Sequence, residues 1–295
     1  MTRDDRLDDD VDDDVDDDAM DEEIRDDDVY ECLFYHYGGR IRQAAQCVSG
    51  RSSVQLYIEN LIRSVSSASK GSVSLCLNST ECSADPKSRD SLRTMFRDAR
   101  DIGATQIVDS QFILGLLRDK ILEEDYLNAY KKAIVLNRKA VAGHLFEELM
   151  HSIYCSTRHN SPAVQGSHQA TGTGHEGVNQ LLEKCVYWIP STVNFAVIDA
   201  ALIDALGKIW CVQYTVSSQH SFNGSLLRSK FLRRIPQSAG AVTTDDSCTI
   251  LFVVPRGVEF AAPDTAPFSN RTFYVDCANM ETVLRDVPKI FGDAT

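Results

Sequence analysis

The run Thr249, Ile250, Leu251, Phe252, Val253, Val254 constrains the fold of this chain more than any other segment. It carries no charge, it is rich in β-branched residues, and it is too short for a buried helix. Such a run predicts a strand without a solvent face, which must be covered on both sides. The preceding residues supply the cover. Val141, Leu145, Phe146, Leu149 and Ile153 repeat at helical spacing and predict the buried stripe of one long helix over 133–155. Strands are predicted over 185–189, 193–203 and 208–216, with Gly207 in the turn between the last two. A helix over 226–235 stops before Pro236. A short strand over 273–275 and a closing helical turn over 283–287 follow, and 156–175 reads as a loop. The order is α-β-β-β-α-β plus extras, an α/β domain over 136–295 with a mixed central sheet in three layers.

The part before it, 29–135, predicts a mainly helical region. Tyr30, Leu33, Phe34 and Tyr37 form one face, and Val54, Tyr57, Leu61 and Val65 form the next. Residues 73–77 read as a short strand in a serine-rich stretch, and 92–127 as two or three short helices. Residues 1–28 differ from both parts. They hold seventeen Asp and Glu against three Arg, while 29–295 hold 26 acids and 27 Lys and Arg. The net charge of −13 therefore belongs to the tail. Such a run repels itself and has little to bury, which predicts disorder. It reads as a solvated linker, or as a mimic of nucleic acid that screens a basic site elsewhere in the chain or binds a basic partner.

Nine cysteines without a Cys-x-x-Cys pair argue against a disulfide framework and an ordinary zinc site. They fit a reducing compartment. No 18-residue apolar stretch occurs, so no membrane partner is expected. Nor does the N-terminus show the apolar core of a signal peptide. His151, His159, His168 and His175 lack a regular ligand spacing and read as surface residues.

Oxygen-bearing side chains fall at three informative places. Glu147 and Glu148 lie in the long helix, Asp199 in an apolar strand, and Gln213 in the next strand. An acid on a helix with an acid and an amide on adjacent strands can gather hard ligands for a divalent cation such as Mg²⁺. Taken singly, the glutamates are ordinary for a solvated helix face, and Asp199 for a strand-end turn. Arg228, Lys230, Arg233 and Arg234 make the 226–235 helix basic, as a phosphate track or a solvated face.

This order, with these acids, resembles the PD-(D/E)XK restriction-endonuclease-like fold. Gly143, Phe146 and Glu147 are similar to the Gly-x-x-Phe-Glu helix of its resolvase-like branches. Asp199 matches the metal-binding Asp, and Gln213 the Glu or Gln of the (E/Q)-x-K strand. The resemblance implies a catalytic set of Glu147, Asp199, Gln213 and Thr215, with Mg²⁺ on the first three. Thr215 stands where the family has lysine; it can hydrogen-bond but supplies no positive charge. Lys208, His220 or Lys230 could replace it from elsewhere.

Gly38, Gly39 and Arg42, with Asp109, Phe112 and the Gly143 helix, extend the resemblance to Crinkler and retrotransposon-hot-spot proteins. It covers about 29–255. It implies an effector, secreted and then acting in a host nucleus, with nucleic acid, DNA above all, or a host nuclear protein as partner. A nuclear or cytoplasmic place without secretion is the alternative. No Gly-x-x-x-x-Gly-Lys-Ser/Thr loop and no Leu-x-Leu-Phe-Leu-Ala-Lys motif occur. The chain reads as a truncated member holding the end of an ATPase module, with no nucleotide hydrolysis expected. Three functions stay open: a metal-dependent nuclease, a non-enzymatic DNA- or protein-binding effector module, and a regulatory remnant of an ATPase.

Overall fold

The computed structural model describes residues 45–46, 48–50, 53–78, 94–97, 104–108, 110–159, 169–172, 187–190, 198–204, 208–235 and 248–290. The acidic segment 1–28 and the expected strand residues 193–197 lie outside them. So do the side chains of His159, His168 and His175.

Helix α1 (Val54–Ser67) starts at Ser53, whose hydroxyl accepts the Leu56 N–H at 3.0 Å. This satisfies one of the donors that every helix start leaves open. Helix α2 (Lys70–Asn78) replaces the strand predicted over 73–77. Val73, Cys76 and Leu77 are all buried. A helix gathers positions three and four apart on one face, whereas a strand would turn Cys76 away from the other two.

A second correction concerns 92–127. An antiparallel hairpin of β1 (Thr94–Arg97) and β2 (Ala104–Ile107) occupies its first part. Thr94, Phe96, Thr105 and Ile107 favour strands, and Gly103 weakens a helix. Helix begins only with α3 (Gln111–Leu117), capped by the Ser110 hydroxyl.

The helix predicted over 133–155 is the second of two, α4 (Glu123–Val135) and α5 (Lys139–His159). They part at Asn137, whose φ of 53° is left-handed and ends a right-handed helix. Asparagine tolerates that conformation better than most residues.

Among the described residues the main sheet has six strands in the order β3 (Gln169–Gly172), β4 (Tyr187–Pro190), β5 (Ala200–Ile203), β6 (Ile209–Tyr214), β7 (Cys248–Pro255), β8 (Ser269–Val275). β3 lies in the segment predicted as loop. The pairs β4–β5 and β5–β6 are antiparallel; β3–β4, β6–β7 and β7–β8 are parallel. Helix α6 (Gly224–Lys230) lies on the connection from β6 to β7, the crossover a parallel pair requires. The predicted 226–235 helix is thus shorter and runs on into a 3-10 turn, Leu232–Arg234. β8 extends beyond its expected span through its pairing with β7; Ser269, Asn270 and Arg271 are exposed and carry no apolar pattern to mark it in the sequence. Helix α7 (Met280–Asp286) closes the described part with a capping box of Asn279 and Thr282.

Side chains alternate across the sheet and give it a core on each face. Trp210, Val212, Tyr214, Leu251 and Val253 meet Leu145, Phe146, Leu149 and Ile153 of α5. That core continues through Tyr126, Leu114, Val73 and Leu61. On the other face Ile209, Cys211, Ile250, Phe252 and Val254 meet Leu227 of α6 and Phe231 just after it. The run 249–254 is therefore covered on both sides, and the molecule is α/β with a mixed sheet.

Candidate functional site

The site lies where β5 begins, β6 ends and α5 passes over them. Gly143 of helix α5 lies over the end of β6, where a Cβ would meet Val216 Cγ2 at 3.8 Å, an ordinary contact, so the approach of the helix does not require glycine. Phe146 is fully buried and holds the helix in place, edge-on to Tyr214 at 6.3 Å between centroids.

Asp199 stands just before β5. Its N–H donates to Val212 O at 2.9 Å, and its Oδ2 accepts the Tyr214 N–H at 2.7 Å. The side chain thus closes the end of the β5–β6 ladder. One register step beyond the pair Ala200 and Val212, it comes level with Gln213. Its carboxyl is held well above the usual carboxylate range. Burial is the main cause and the Glu147 charge the next, against the Tyr214 N–H and His220, which favour ionisation. Asp199 and Glu147, from different elements, therefore repel each other when both are charged.

The adjacent glutamates of α5 have separate roles. Glu148 is buried and takes a bidentate pair from Arg118, Nε to Oε2 at 2.7 Å and the second guanidinium nitrogen to Oε1 at 2.8 Å. Burial alone would raise its pKa, but Arg118 outweighs it and the carboxyl stays below its ordinary value. Glu147 is half-buried and lies one turn before His151, with Oε1 3.6 Å from Nε2. His151, read from the sequence as a surface residue, is completely buried. Burial, with Arg118 nearby, pushes its pKa down to about 3. It packs on the Tyr214 ring, which no ligand-spacing rule reports.

Gln213 is buried and reaches the α6 face, beside Phe252 of β7, because Val212 and Tyr214 face α5. Gln213 and Glu147 thus belong to opposite faces and can approach only around the strand ends. Thr215 is buried; its N–H donates to Val253 O, and its Oγ1 accepts the Ser217 N–H at 3.1 Å. It shapes the loop after β6 and brings no charge.

Of the three residues considered in place of the lysine, only His220 is electrostatically tied to Asp199. Its Nδ1 donates to Ser221 O at 2.7 Å, since a carbonyl can only accept. Lys208 stacks on Trp210 at 4.7 Å, at the far end of β6. Lys230 ends α6 and is half-buried. Arg228 lies over the Phe268 ring at 4.9 Å. Two residues apart on one helix, Arg228 and Lys230 do not share a face. Arg233 is exposed in the following turn, and the Arg234 side chain lies outside the described residues.

Among the described residues no group of three or more His, Cys, Asp or Glu is arranged to hold a metal ion. None of the described helices is long and apolar enough to cross a membrane. Comparison of the chain with models of protein families, with curated proteins and with solved structures finds no match.

Proposed function

We propose that 136–295 form a restriction-endonuclease-like domain that holds a divalent cation and acts on a nucleic-acid backbone, DNA above all. The observation that carries this reading is the place of Asp199 at the end of the β5–β6 ladder, where the Tyr214 N–H holds its carboxyl and Glu147 is within electrostatic reach. The element order supports it: α5, the antiparallel β4–β5–β6, then α6 and a parallel β7. Two carboxylates and an amide are hard oxygen donors, which suits Mg²⁺ or Mn²⁺. Asp199 and Glu147 would hold the ion, with Gln213 as the third donor from around the strand end. When bound, such an ion polarises a phosphoryl oxygen and lowers the pKa of a water molecule.

The chain's own groups do the rest. The Tyr214 N–H fixes the direction of the Asp199 carboxylate. His220 is electrostatically tied to it, where the lysine of the resembled family is missing. Arg228, Lys230, Arg233 and Arg234 offer positive charge to a phosphate backbone from the helix and turn after β6. In this reading the chain is a Crinkler-type effector acting in a host nucleus. A second reading, a binding module without chemistry, is favoured by Thr215, whose hydroxyl is engaged with Ser217 and provides no charge.

Incubation of plasmid DNA with the protein and Mg²⁺ or Mn²⁺ separates the two. Slow cleavage that stops with EDTA and with Asp199→Ala supports the nuclease. DNA retention in a gel shift without cleavage supports the binding module. Cleavage by Asp199→Ala at the wild-type rate sinks the assignment of this site.

A further inference from the structure

Behind Glu147 lies a chain of buried polar groups that the cation pair itself does not use. His151 Nδ1 is 2.7 Å from the Tyr187 hydroxyl, and that hydroxyl is 2.6 Å from the hydroxyl of Tyr214. On the other side of the imidazole, Nε2 faces Glu147 Oε1 at 3.6 Å. The three rings come from α5, β4 and β6, and all are buried. Burial keeps both phenols protonated and the imidazole neutral.

Three neutral groups in a row carry three protons, and these can be ordered in two ways. In one, Tyr214 donates to Tyr187, Tyr187 donates to Nδ1, and the remaining proton is on Nε2, pointing at the Glu147 carboxylate. In the other, Nδ1 donates to Tyr187 and Tyr187 to Tyr214. The Nε2 lone pair then faces a carboxylate oxygen, and the Tyr214 proton has no further acceptor among the described residues. The first order turns the Nε2 donor toward a carboxylate oxygen, a favourable charge–dipole contact at 3.6 Å rather than a hydrogen bond. The second leaves a buried donor unmatched and sets two acceptors face to face, both of which are costly in a dry interior.

We infer that Tyr214, Tyr187 and His151 form an ordered relay that locks His151 in the Nε2–H tautomer and so holds Glu147 in position toward Asp199. His151 is then a positioning residue, and the tyrosines set its tautomer. Supporting partners of this kind fix the orientation of a ligand-bearing side chain. Through the Tyr214 backbone N–H the same strand also holds Asp199, so β6 orients both acids. The positioning role rests on the reading of Glu147 and Asp199 as a cation pair; the tautomer does not.

Long-range ¹H–¹⁵N NMR of the imidazoles in the full 295-residue chain tests the tautomer directly, with EDTA present. The expected wild-type signal for His151 has a protonated Nε2 and a bare Nδ1. Tyr187→Phe, which keeps ring and volume, should abolish that fixed pattern. Circular dichroism verifies that the variant is folded. A protonated Nδ1 in the wild type, or an Nε2–H pattern unchanged in Tyr187→Phe, overturns the relay. Mn²⁺ titration then tests the positioning. Tyr187→Phe and His151→Leu should weaken binding about 10- to 100-fold. His151→Gln, whose amide N–H can still reach Glu147, should recover most of it. Unchanged affinity in Tyr187→Phe and His151→Leu overturns the positioning role. A wild type that binds no Mn²⁺ overturns the cation pair and with it that role, whereas the NMR result stands by itself for the relay.

Discussion

At the scale of single residues, Asp199 carries the most distinctive electrostatics. Its folded pKa stands above that of an unfolded aspartate, about 3.9, because burial and Glu147 disfavour its charge. Between that value and the folded pKa the folded chain keeps a proton that the unfolded chain has lost. Ionisation therefore erodes stability as pH rises through this window. In EDTA, Asp199→Asn should raise Tm at pH 7, since the amide oxygen can still accept the Tyr214 N–H. The difference from wild type should close below about pH 3.9. An asparagine variant that melts lower than wild type at pH 7 would show that the charged form is welcome there.

The same scale shows what a sequence leaves unread. Glu147 and Glu148 are neighbours of one type, and only the partner differs. Arg118 is 30 positions from Glu148, and no local pattern connects them. His151 lacked ligand spacing and was expected at the surface. Its burial depends on two tyrosines from strands 36 and more residues away, so a single-residue rule had nothing to act on.

At the scale of elements, α5 was the most legible. The stripe of Leu145, Phe146, Leu149 and Ile153 is fully buried, as their spacing requires. Phe146→Ala should cost about 3–5 kcal/mol in urea unfolding, because the ring lies between Tyr130 and Tyr214. A loss near zero would place that ring outside the core. The two glutamates should separate in the same assay. Arg118→Ala leaves Glu148 as a buried unpaired charge and should cost about 3–5 kcal/mol. Glu147→Gln, on the half-buried side, should stay within about 0.5 kcal/mol of wild type, its effect being on the cation. Equal losses in the two variants would contradict this division. The break at Asn137, with α5 starting at Lys139, was not legible, since the apolar residues 133–136 run into it without a stop signal. The β1–β2 hairpin was missed because helical spacing further along, in α3, was extended backward over residues of strand type.

At the scale of the whole molecule, the sheet followed from two features. The run 249–254 demanded cover on both faces, and α5 and α6 provide it. The strands predicted around Gly207 are adjacent and antiparallel, as β5 and β6. This pairing alone puts Asp199 beside the end of β6, and α5 then brings Glu147 to it. The basic residues after β6 were legible as composition only; Arg228, for one, is directed by the Phe268 ring it lies over.

The central claim is that Asp199 and Glu147 together hold a divalent cation. Mn²⁺ binding measured by electron paramagnetic resonance tests it most directly, with wild type and Asp199→Asn compared at the same neutral pH. Binding by the wild type that is lost in Asp199→Asn, with both proteins folded by circular dichroism, is the expected result. No Mn²⁺ bound by the wild type, or equal affinity in the two proteins, would contradict it.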